Sequence, residues 1–493
     1  MRIAVVGGGP RALWALESVL QAVREGGHAC AIDVFDPHPD GRGSAYASGQ
    51  PDYLRLNVNS AIIRTGLGSL DGWRADRGER RPLDPFPARS LVGRFLSESW
   101  DAAERTAGRC APRRIAARVT RVEPSGSAWL VAYRPGPEGA PAEHEGRYDH
   151  VLLATGHETA WPDAWRATQP DALPALPVSG LTDAAVPAGA RVAVRGAALT
   201  FIDAALALTE GRGGTFAADG YQPSGREPRL LPFGRGGRFL ECKPQPGGPL
   251  AGLDLTSARM RGAVALAESR GDPDAVARAV AATAEGFLRA AHGRGDVDAV
   301  LAGRDAGDPV ADLRRSYAVA TGDARPHAAW AVGQAWQDLY PAIVDAVGYE
   351  RCPAARWPAF ARLARRLERV AFGPPPVNAG KLLALVDAGV VAAPASACPP
   401  AARHVDAVLA PPGVVPGSLA ASLVDRGIAA CSPGRRGLRV TGDAAVVGPG
   451  GRPHRGLAAV GRVTEDVVIG NDTLSRTLHD AIPRWARRVV RDA

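Results

Sequence analysis

The glycine-rich turn close to the amino terminus constrains the fold of this 493-residue chain more than any other feature. An apolar run at 3–6 is followed by glycines at 7–9 and then by apolar residues at helical spacing, which predicts a strand, a tight turn and a helix. The spacing fits the pattern G-x-G-x-x-A: Gly7 permits the turn, Gly9 lets the backbone approach a pyrophosphate, and Ala12 lets the helix pack close to the strand. The stretch therefore predicts a dinucleotide-binding unit.

The next predicted strand, 31–36, supplies the acid that such a unit requires. It ends in Asp36, whose carboxylate is placed to accept both ribose hydroxyls of an adenosine. Pro10 and Arg11 open the predicted helix, where backbone amides face the phosphates of a bound dinucleotide. The alternative is a glycine-rich turn that binds nothing, but the acid at the expected distance favours binding.

Composition narrows the class of protein. Apolar residues make up 46% of the chain and charged residues 22%, which is typical of a soluble globular protein of about two or three domains. We predict a cytoplasmic location, because no apolar run is long enough to span a bilayer and the first strand has no basic leader. The net charge of +8 is spread along the chain, which favours an anionic cofactor over a nucleic-acid surface. The six cysteines lack C-x-x-C spacing, so neither a metal site nor a disulfide framework is predicted.

Rare residue types give a second kind of signal. Only two of the 59 basic residues are lysines, and asparagine is almost as scarce. The lysines and asparagines are Lys243, Lys381, Asn57, Asn59, Asn378 and Asn471. Such a skew indicates a genomic bias against both residue types. We expect these residues to mark positions where a substitute is not tolerated, with chance survival as the alternative.

A second motif indicates which class of dinucleotide-binding chain this is. Residues 113–153 alternate as strands do, and they lead into Leu-Ala-Thr-Gly-His at 153–157. A β-meander that returns to a buried strand ending in Ala-Thr-Gly is typical of two-dinucleotide flavoproteins. The chain therefore resembles the FAD-NAD(P)-binding family, which is related to the class B and amino-acid N-hydroxylating monooxygenases. The N-hydroxylase pattern is matched at Asp149, at the Ala-Thr-Gly turn and at Pro162, and it departs at His157, where tyrosine is expected.

The resemblance implies roles for several residues around FAD. Thr155 and Gly156 are expected to turn beside the cofactor. His157 is expected to act as a proton donor or a substrate contact, with a plain histidine at a helix start as the alternative. Asn57 and Asn59, in the loop after the ribose-binding strand, are expected to meet the flavin or substrate edge, or else to cap turns.

A second glycine unit predicts the NADPH module. Residues 191–203 again have the pattern of strand, turn and helix around Gly196, and in the resembled family the NAD(P)H module is inserted after the Ala-Thr-Gly turn. Arg226 and, as second choice, Arg229 are expected to hold the 2′-phosphate of NADPH, with solvated loop arginines as the alternative. Lys243 closes this segment and is expected to meet a phosphate or a substrate carboxylate.

The rest of the chain is predicted to contribute the substrate side of the site. Helical spacing over 254–371 predicts an insertion, which in the resembled family covers the flavin. Asn378 and Lys381 lie one helical turn apart and are candidate substrate contacts. In the closing strand and loop, Gly461 and Asp472 are expected to meet the cofactor. Asp472, at the predicted start of the last helix, is either a substitute for the usual Gly-Asp or an ordinary N-cap.

The predicted fold is an α/β two-dinucleotide-binding flavoprotein: a Rossmann-like FAD domain with a β-meander, an inserted NADPH module and a helical insertion. The predicted segments are 1–185 for the first part of the FAD-binding domain, 186–253 for the NAD(P)H-binding module, 254–372 for the helical substrate lid and 373–493 for the return to the FAD-binding domain.

The function implied by the resemblance is that of an FAD- and NADPH-dependent monooxygenase of specialised metabolism, which N-oxygenates a small amine or amino acid, with aspartate as the suggested substrate. The absence of the Baeyer–Villiger fingerprint favours nitrogen over ketone substrates. Asn57, His157 and Lys243 are the catalytic candidates. The expected partners are the substrate and molecular oxygen, without nucleic acid or membrane, and homodimerisation stays open. An NAD(P)H-dependent flavin oxidoreductase without oxygen insertion and an FAD-binding regulatory protein are the alternatives, because Ala198 replaces the second glycine of the NADPH unit.

Overall fold

The computed structural model describes residues 1–26, 29–47, 49–136 and 142–492. In chain order the strands are β1 (Arg2–Val6), β2 (Ala31–Asp36), β3 (Arg64–Thr65), β4 (Gly68–Ser69), β5 (Arg113–Ser125), β6 (Ala128–Pro135), β7 (His144–Tyr148), β8 (His150–Leu153), β9 (Leu173–Pro174), β10 (Arg191–Arg195), β11 (Thr215–Ala217), β12 (Gly220–Gln222), β13 (Arg229–Phe233), β14 (Arg403–Asp406), β15 (Ala445–Val447) and β16 (Pro453–Ala459). The helices are α1 (Pro10–Gly26), α2 (Leu70–Ala75), α3 (Arg89–Thr106), α4 (Leu199–Ala207), α5 (Thr256–Glu268), α6 (Pro273–Ala290), α7 (Val297–Ala302), α8 (Pro309–Thr321), α9 (Ala328–Val347), α10 (Trp357–Ala371), α11 (Pro376–Asp387), α12 (Leu419–Asp425) and α13 (Ala481–Arg491).

An eight-stranded sheet of order β15–β16–β8–β1–β2–β5–β6–β7 organises the first and last parts of the chain. β1 lies between β2 and β8 and is parallel to both. Ile3 and Val5 point to the face that α1, α3 and α13 cover, whereas Ala4 and Val6 point to the face of the meander strands. A strand covered on both faces needs apolar residues at successive positions, which explains the uninterrupted apolar run.

A second, four-stranded parallel sheet of order β13–β10–β14–β9 carries the second glycine unit. Its core includes Phe201 of α4 and Leu382 of α11. The sheet is wider than the predicted module 186–253, because β9 comes from before that segment and β14 from after it. β10 is paired with β13 on one side and with β14 on the other, so the chain must return from the helical part to complete this sheet.

The predicted helical insertion, 254–372, contains α5 to α10. These helices share a core with Trp330 and Trp336 of α9, and Trp336 is completely buried. Tyr340 packs against the same core, and its ring meets that of Phe372 edge-on at 5.3 Å. None of the helices in the described residues is both long enough and apolar enough to cross a membrane.

Two local predictions about helix starts are wrong. The last helix, α13, begins at Ala481, so Asp472 does not open it and lies in an irregular loop. The cause is Asn471, whose Nδ2 donates to Glu465 Oε2 at 2.7 Å and to Val468 O at 2.9 Å and so holds the loop in a folded conformation. His157 lies in an irregular segment after β8 and not at a helix start.

Candidate dinucleotide and substrate sites

The first glycine turn has a geometry that only glycine allows. Gly7 has φ 106°, and a Cβ added there would lie 2.8 Å from the carbonyl carbon of Ala154 and 3.2 Å from the amide nitrogen of Thr155. The Gly7 amide donates to Phe35 O at 2.8 Å, which fixes the turn at the carboxyl ends of the parallel strands. Ligands of parallel sheets bind at this edge. The turn therefore places the start of α1, and with it the helical amides, at a candidate phosphate site.

Asp36 closes the other side of the same turn. The Gly8 amide donates to Asp36 Oδ2 at 2.7 Å, and the His38 amide donates to Oδ1 at 2.8 Å. Burial raises the pKa of Asp36, and these two backbone donors oppose that shift. Each carboxylate oxygen keeps a second lone pair, so both can still accept a ribose hydroxyl.

The space in front of this turn depends on a second glycine. Gly9 faces Gly43, and a Cβ added at Gly43 would lie 3.1 Å from Gly9 Cα and 3.6 Å from Pro10 Cδ. Side chains at either glycine would fill the gap between them. The backbone cradle and the carboxylate of Asp36 together fit the adenosine diphosphate part of FAD.

Residues distant in sequence meet at Arg11, beside this cradle. The Arg11 guanidinium donates to Asn471 O and, at 3.3 Å, to Thr473 O. A Cβ added at Gly461, which has φ 79°, would lie 3.6 Å from Arg11 Cδ. Desolvation lowers the pKa of Arg11 to about 10, and the charge of Asp472 opposes the shift. The contacts are present, and their cofactor roles stay predictions.

His157 follows the Ala-Thr-Gly turn at the carboxyl end of β8. Desolvation and the positive charge of Arg462 lower its pKa to about 4, although Asp472 raises it. The imidazole is therefore neutral at neutral pH. A role as a strong imidazolium acid does not fit this environment, and a contact through a neutral ring does.

The second glycine turn repeats the hydrogen bond of the first. The Gly196 amide donates to Phe233 O at 2.8 Å, as the Gly7 amide does to Phe35 O. Gly196 has φ 108°, and a Cβ there would lie 3.3 Å from the carbonyl carbon of Ala407. The two turns thus occupy the same place in their sheets.

The structure contradicts the predicted placement of the phosphate-binding arginines. Arg229 is the first residue of β13 and is aligned with Arg191, so it lies at the amino end of the strand. Arg226 comes earlier still and is paired with Asp183. Both arginines lie at the sheet edge opposite the Gly196 turn. The reason is that β13, the strand whose carboxyl end lies beside this turn, begins at residue 229, so residues 226 and 229 are not after it.

Arg235 is a candidate for the 2′-phosphate contact that the sequence-based prediction missed. It follows the carboxyl end of β13, in the turn Gly234-Arg235-Gly236-Gly237, and its side chain is exposed. The neighbouring Arg238 is paired with Asp305 and Asp312, whereas Arg235 forms no ion pair with the described residues. The signal was present, since the buried apolar run 230–232 before the glycines marks the strand.

Three of the rare residues meet around one backbone segment, 372–378. Asn57 Nδ2 donates to Phe372 O at 3.3 Å, and the Lys243 amide donates to Pro374 O at 3.1 Å. Asn378 lies in the first turn of α11, where its amide donates to Pro375 O at 3.0 Å. The structure thus brings together predicted residues from three distant parts of the sequence.

The other rare residues have structural partners. Lys381 Nζ forms an ion pair with Glu210 and lies 5.0 Å from the ring centroid of Phe216. It is therefore engaged by the second module, which disfavours the predicted substrate contact. Asn59 Oδ1 accepts the amide of Ala61 at 3.1 Å, which is the turn-capping alternative.

Comparisons with known proteins define the class to which this fold corresponds. Residues 4–158 match the model of a family described as FAD-NAD(P)-binding. The reduced form of ornithine hydroxylase from Pseudomonas aeruginosa has a TM-score of 0.57 at 11% identity, over 99% of this chain and 98% of that one. L-lysine 6-monooxygenase from Pseudomonas syringae has a TM-score of 0.53 at 13% identity, over 99% of both chains. The resemblance and the two-dinucleotide-binding α/β fold predicted from the sequence are therefore confirmed.

The relatives found by sequence similarity have names that state a particular reaction. The nitrosuccinate-forming L-aspartate N-monooxygenase of Streptomyces davaonensis is 28% identical over 313 residues, which are 52% of this chain and 47% of that protein. The nitrosuccinic acid synthase of Aspergillus oryzae is 29% identical over 270 residues, 48% of this chain and 40% of that protein. The chain thus spans less than half the length of the curated relatives it matches.

Proposed function

We propose that this chain is an FAD- and NADPH-dependent monooxygenase that oxygenates the amine nitrogen of a small amino acid, with aspartate as the first candidate. FAD, when bound, takes a hydride from NADPH and, once reduced, activates molecular oxygen. Similarity to aspartate N-monooxygenases over about half of the chain supports the choice of substrate.

The proposal rests on the pair of glycine turns. One chain holds two turns with the same backbone hydrogen bond, each at the carboxyl edge of a parallel sheet. At the first turn Asp36 suits the ribose of an FAD adenosine, and at the second Arg235 suits a 2′-phosphate. A chain that moves a hydride from one dinucleotide to another needs two such sites.

An ion pair connects the two modules. Arg89, the first residue of α3, donates to both carboxylate oxygens of Asp203 in α4, at 2.8 and 3.1 Å. Asp203 is buried, and burial raises its pKa while Arg89 lowers it. A bidentate, partly buried ion pair of this kind restricts the orientation of α3 relative to α4. We propose that it keeps the two nucleotide sites in a fixed relation.

Acidic side chains near the first turn can hold protons at neutral pH. Desolvation and the nearby Asp472 raise the pKa of Glu368 and of Glu465 to about 7. Glu465 Oε2 accepts a hydrogen bond from Asn471 Nδ2 at 2.7 Å, which ties it to the loop that contacts Arg11. We propose that these carboxyl groups buffer protons beside the first nucleotide site.

The alternative is a flavin oxidoreductase that inserts no oxygen. Ala198, which stands immediately before α4 in place of the second glycine of the pattern, is the sequence feature that keeps this alternative and the regulatory one open. This alternative keeps both nucleotide sites, so only the fate of oxygen separates it from the proposal. The regulatory alternative differs from both, because its second turn binds no nucleotide.

Isotope-labelled oxygen separates these functions. The purified protein is supplied with FAD, NADPH, L-aspartate and labelled oxygen, and NADPH consumption, peroxide and labelled product are quantified together. The proposal predicts an aspartate-derived product that carries the label on nitrogen. NADPH consumption with peroxide as the only oxygen product, for aspartate and a panel of small amines, indicates the oxidoreductase. The absence of NADPH consumption indicates the regulatory protein.

We also propose a cytoplasmic location and a homodimer. Support for the location is the supply of NADPH and amino acids in that compartment. Light scattering after size-exclusion chromatography tests the dimer, which a single monomer mass contradicts.

A further inference from the structure

The strongest feature outside the nucleotide sites is the side chain of Lys243. It is 8% exposed, and its Nζ lies 5.5 Å from the ring centroid of Phe86. It forms no ion pair with the described residues. A buried ammonium without an anion is costly, which is why desolvation lowers the pKa of Lys243 to about 7.

The acidic groups close to Lys243 are committed elsewhere. Glu241 pairs with Arg369 at 2.6 Å, and Asp84, on the loop of Phe86, pairs with Arg55. Burial raises the pKa of the Cys242 thiol to about 12, so this neighbour stays neutral. Lys243 Nζ therefore lies in a desolvated place, and the carboxylates of Glu241 and Asp84 are already paired with arginines.

Two buried side-chain acceptors belong to residues at this segment, Asn57 and Asn378. The Oδ1 atoms of Asn57 and Asn378 are buried and have no hydrogen-bond partner among the residues that the structure describes. The orientation of the Asn57 amide is fixed, because its Nδ2 donates to the carbonyl of Phe372. Asn378 is 6% exposed. A bound molecule is one way to satisfy such atoms, although others, Asn471 Oδ1 among them, lie elsewhere in the described residues.

The backbone keeps these groups close to one another. A Cβ added at Gly373 would lie 2.8 Å from the carbonyl carbon of Glu241, so segment 241–243 runs in contact with segment 372–374. On the far side, the Ser60 amide donates to Pro85 O at 2.9 Å, which places the loop of Asn57 against the loop of Phe86. Asn57 and Lys243 thus contact segment 372–378, to which Asn378 belongs, at the meeting point of both modules and the helical part.

We propose that this region is the amino-acid site, in which Lys243 Nζ binds a carboxylate of the substrate and the Oδ1 atoms of Asn57 and Asn378 accept hydrogen bonds from its amine. The assignment rests on the proposed function and adds to it the residues that bind the substrate. An amino acid supplies both the anion and the donors that the site lacks. A diamine supplies a second ammonium, which the charge of Lys243 repels.

Nuclear magnetic resonance tests the proposal in the wild-type protein without turnover. The chain contains only two lysines, so isotope labelling at lysine Cε gives two signals, which a Lys381→Met variant assigns. The probes are L-aspartate, succinate, which lacks the amine, and 1,4-diaminobutane, which lacks a carboxylate. We expect both carboxylates to shift the Lys243 signal and to raise its titration midpoint, while the diamine does neither. An unchanged Lys243 signal with L-aspartate and with succinate overturns the proposal.

Substitutions separate the two halves of the site. We expect Lys243→Met to weaken L-aspartate and succinate binding about 10-fold or more, because a charge-assisted hydrogen bond is lost, and Lys243→Arg to restore part of it. Asn57→Leu should weaken L-aspartate but not succinate. Arg261→Met, which removes an exposed charge from α5, is the matched control. Equal L-aspartate affinity in wild type and in folded Lys243→Met contradicts the assignment.

These outcomes are distinct from failure of the proposed function. A protein that binds L-aspartate through Lys243 but forms no oxygenated product keeps the site and loses the reaction. A protein that oxygenates an amine while Lys243 is indifferent to carboxylates keeps the reaction and loses the site.

Discussion

The two glycine turns of this chain have nearly the same backbone geometry, but the charged residues beside them have opposite signs. In each, a glycine with a φ above 100° donates its amide to a phenylalanine carbonyl at 2.8 Å, Gly7 to Phe35 and Gly196 to Phe233. The residue after that phenylalanine is Asp36 in the first turn and Gly234 in the second, and Arg235 follows. Where the first turn has the carboxylate of Asp36, the second turn has a glycine followed by the positive charge of Arg235.

Backbone geometry thus defines a nucleotide site, and one side chain defines which nucleotide the site takes. A carboxylate accepts ribose hydroxyls but repels a 2′-phosphate, whereas an arginine attracts it. The two turns also differ in how much space they leave for a side chain at the glycine. A Cβ at Gly7 meets the backbone of Ala154 at 2.8 Å, but a Cβ at Gly196 meets that of Ala407 only at 3.3 Å.

The largest effect is expected from alanine at these glycines. Gly7→Ala should cost about 2–4 kcal/mol of unfolding free energy and abolish FAD retention, because a positive φ and a backbone clash act together. Gly196→Ala should cost about 1–2 kcal/mol and leave FAD bound. Urea unfolding and the ratio of flavin to protein absorbance measure both quantities. FAD retained by Gly7→Ala, or lost from Gly196→Ala, contradicts the difference between the turns.

Removal of the arginine is expected to act on one nucleotide only. Arg235→Ala should raise KM for NADPH roughly 10- to 100-fold and leave KM for NADH nearly unchanged, since only NADPH carries the 2′-phosphate. Steady-state kinetics with both nucleotides provide the test. Arg226→Ala tests the residue preferred from the sequence pattern: if it, and not Arg235→Ala, selectively raises KM for NADPH, the 2′-phosphate does not bind at Arg235.

The difference between the turns can also be reversed by adding the missing acid. Position 234 has room for a side chain, because a Cβ there meets nothing within 4 Å. Gly234→Asp should raise KM for NADPH about 10-fold through charge repulsion and lower KM for NADH. Gly234→Ser, of similar size but uncharged, should change the ratio less. An unaltered NADPH to NADH ratio in Gly234→Asp means that this turn does not read the ribose.

The smallest effect is a pH dependence of substrate binding. Desolvation lowers the pKa of Lys243 to about 7. At pH values below this pKa Lys243 is an ammonium, and at higher pH the neutral amine cannot pair with a carboxylate. Succinate affinity should therefore be constant at mildly acidic pH and fall up to about 10-fold per pH unit above neutrality. Calorimetric titration across this range measures it. A flat profile contradicts a carboxylate bound by Lys243.

The sequence predicted the elements whose chemistry is local. The turn at Gly7 and the acid at Asp36 could be identified because strand, glycine spacing and acid follow one another within about 36 residues. The meander strands and the helical part 254–371 also followed from periodicity. Scarcity of lysine and asparagine singled out Asn57, Lys243 and Asn378, which the structure brings to one backbone segment. It singled out Lys381, Asn59 and Asn471 equally, and these have other partners.

What the sequence did not reveal depends on pairing between distant strands. Arg226 and Arg229 were chosen, and Arg235 was not considered, because the start of β13 could not be placed without its partner β10. The second sheet takes β14 from beyond the helical part, a long-range pairing without a local signal. Asp472 was assigned to a helix start because the contacts that hold this loop include long-range ones, from Arg11 to Asn471 O and to Thr473 O.

Anaerobic reduction of the bound flavin is the decisive test of two cooperating nucleotide sites. FAD-loaded wild-type protein and Arg235→Ala are mixed with limiting NADPH or NADH, and the visible flavin band is followed with time. Cooperating sites predict rapid bleaching of the wild type by NADPH, much slower bleaching of Arg235→Ala by NADPH, and equal rates for the two proteins with NADH. A flavin that neither nucleotide bleaches contradicts the claim that the second turn delivers a hydride to the first.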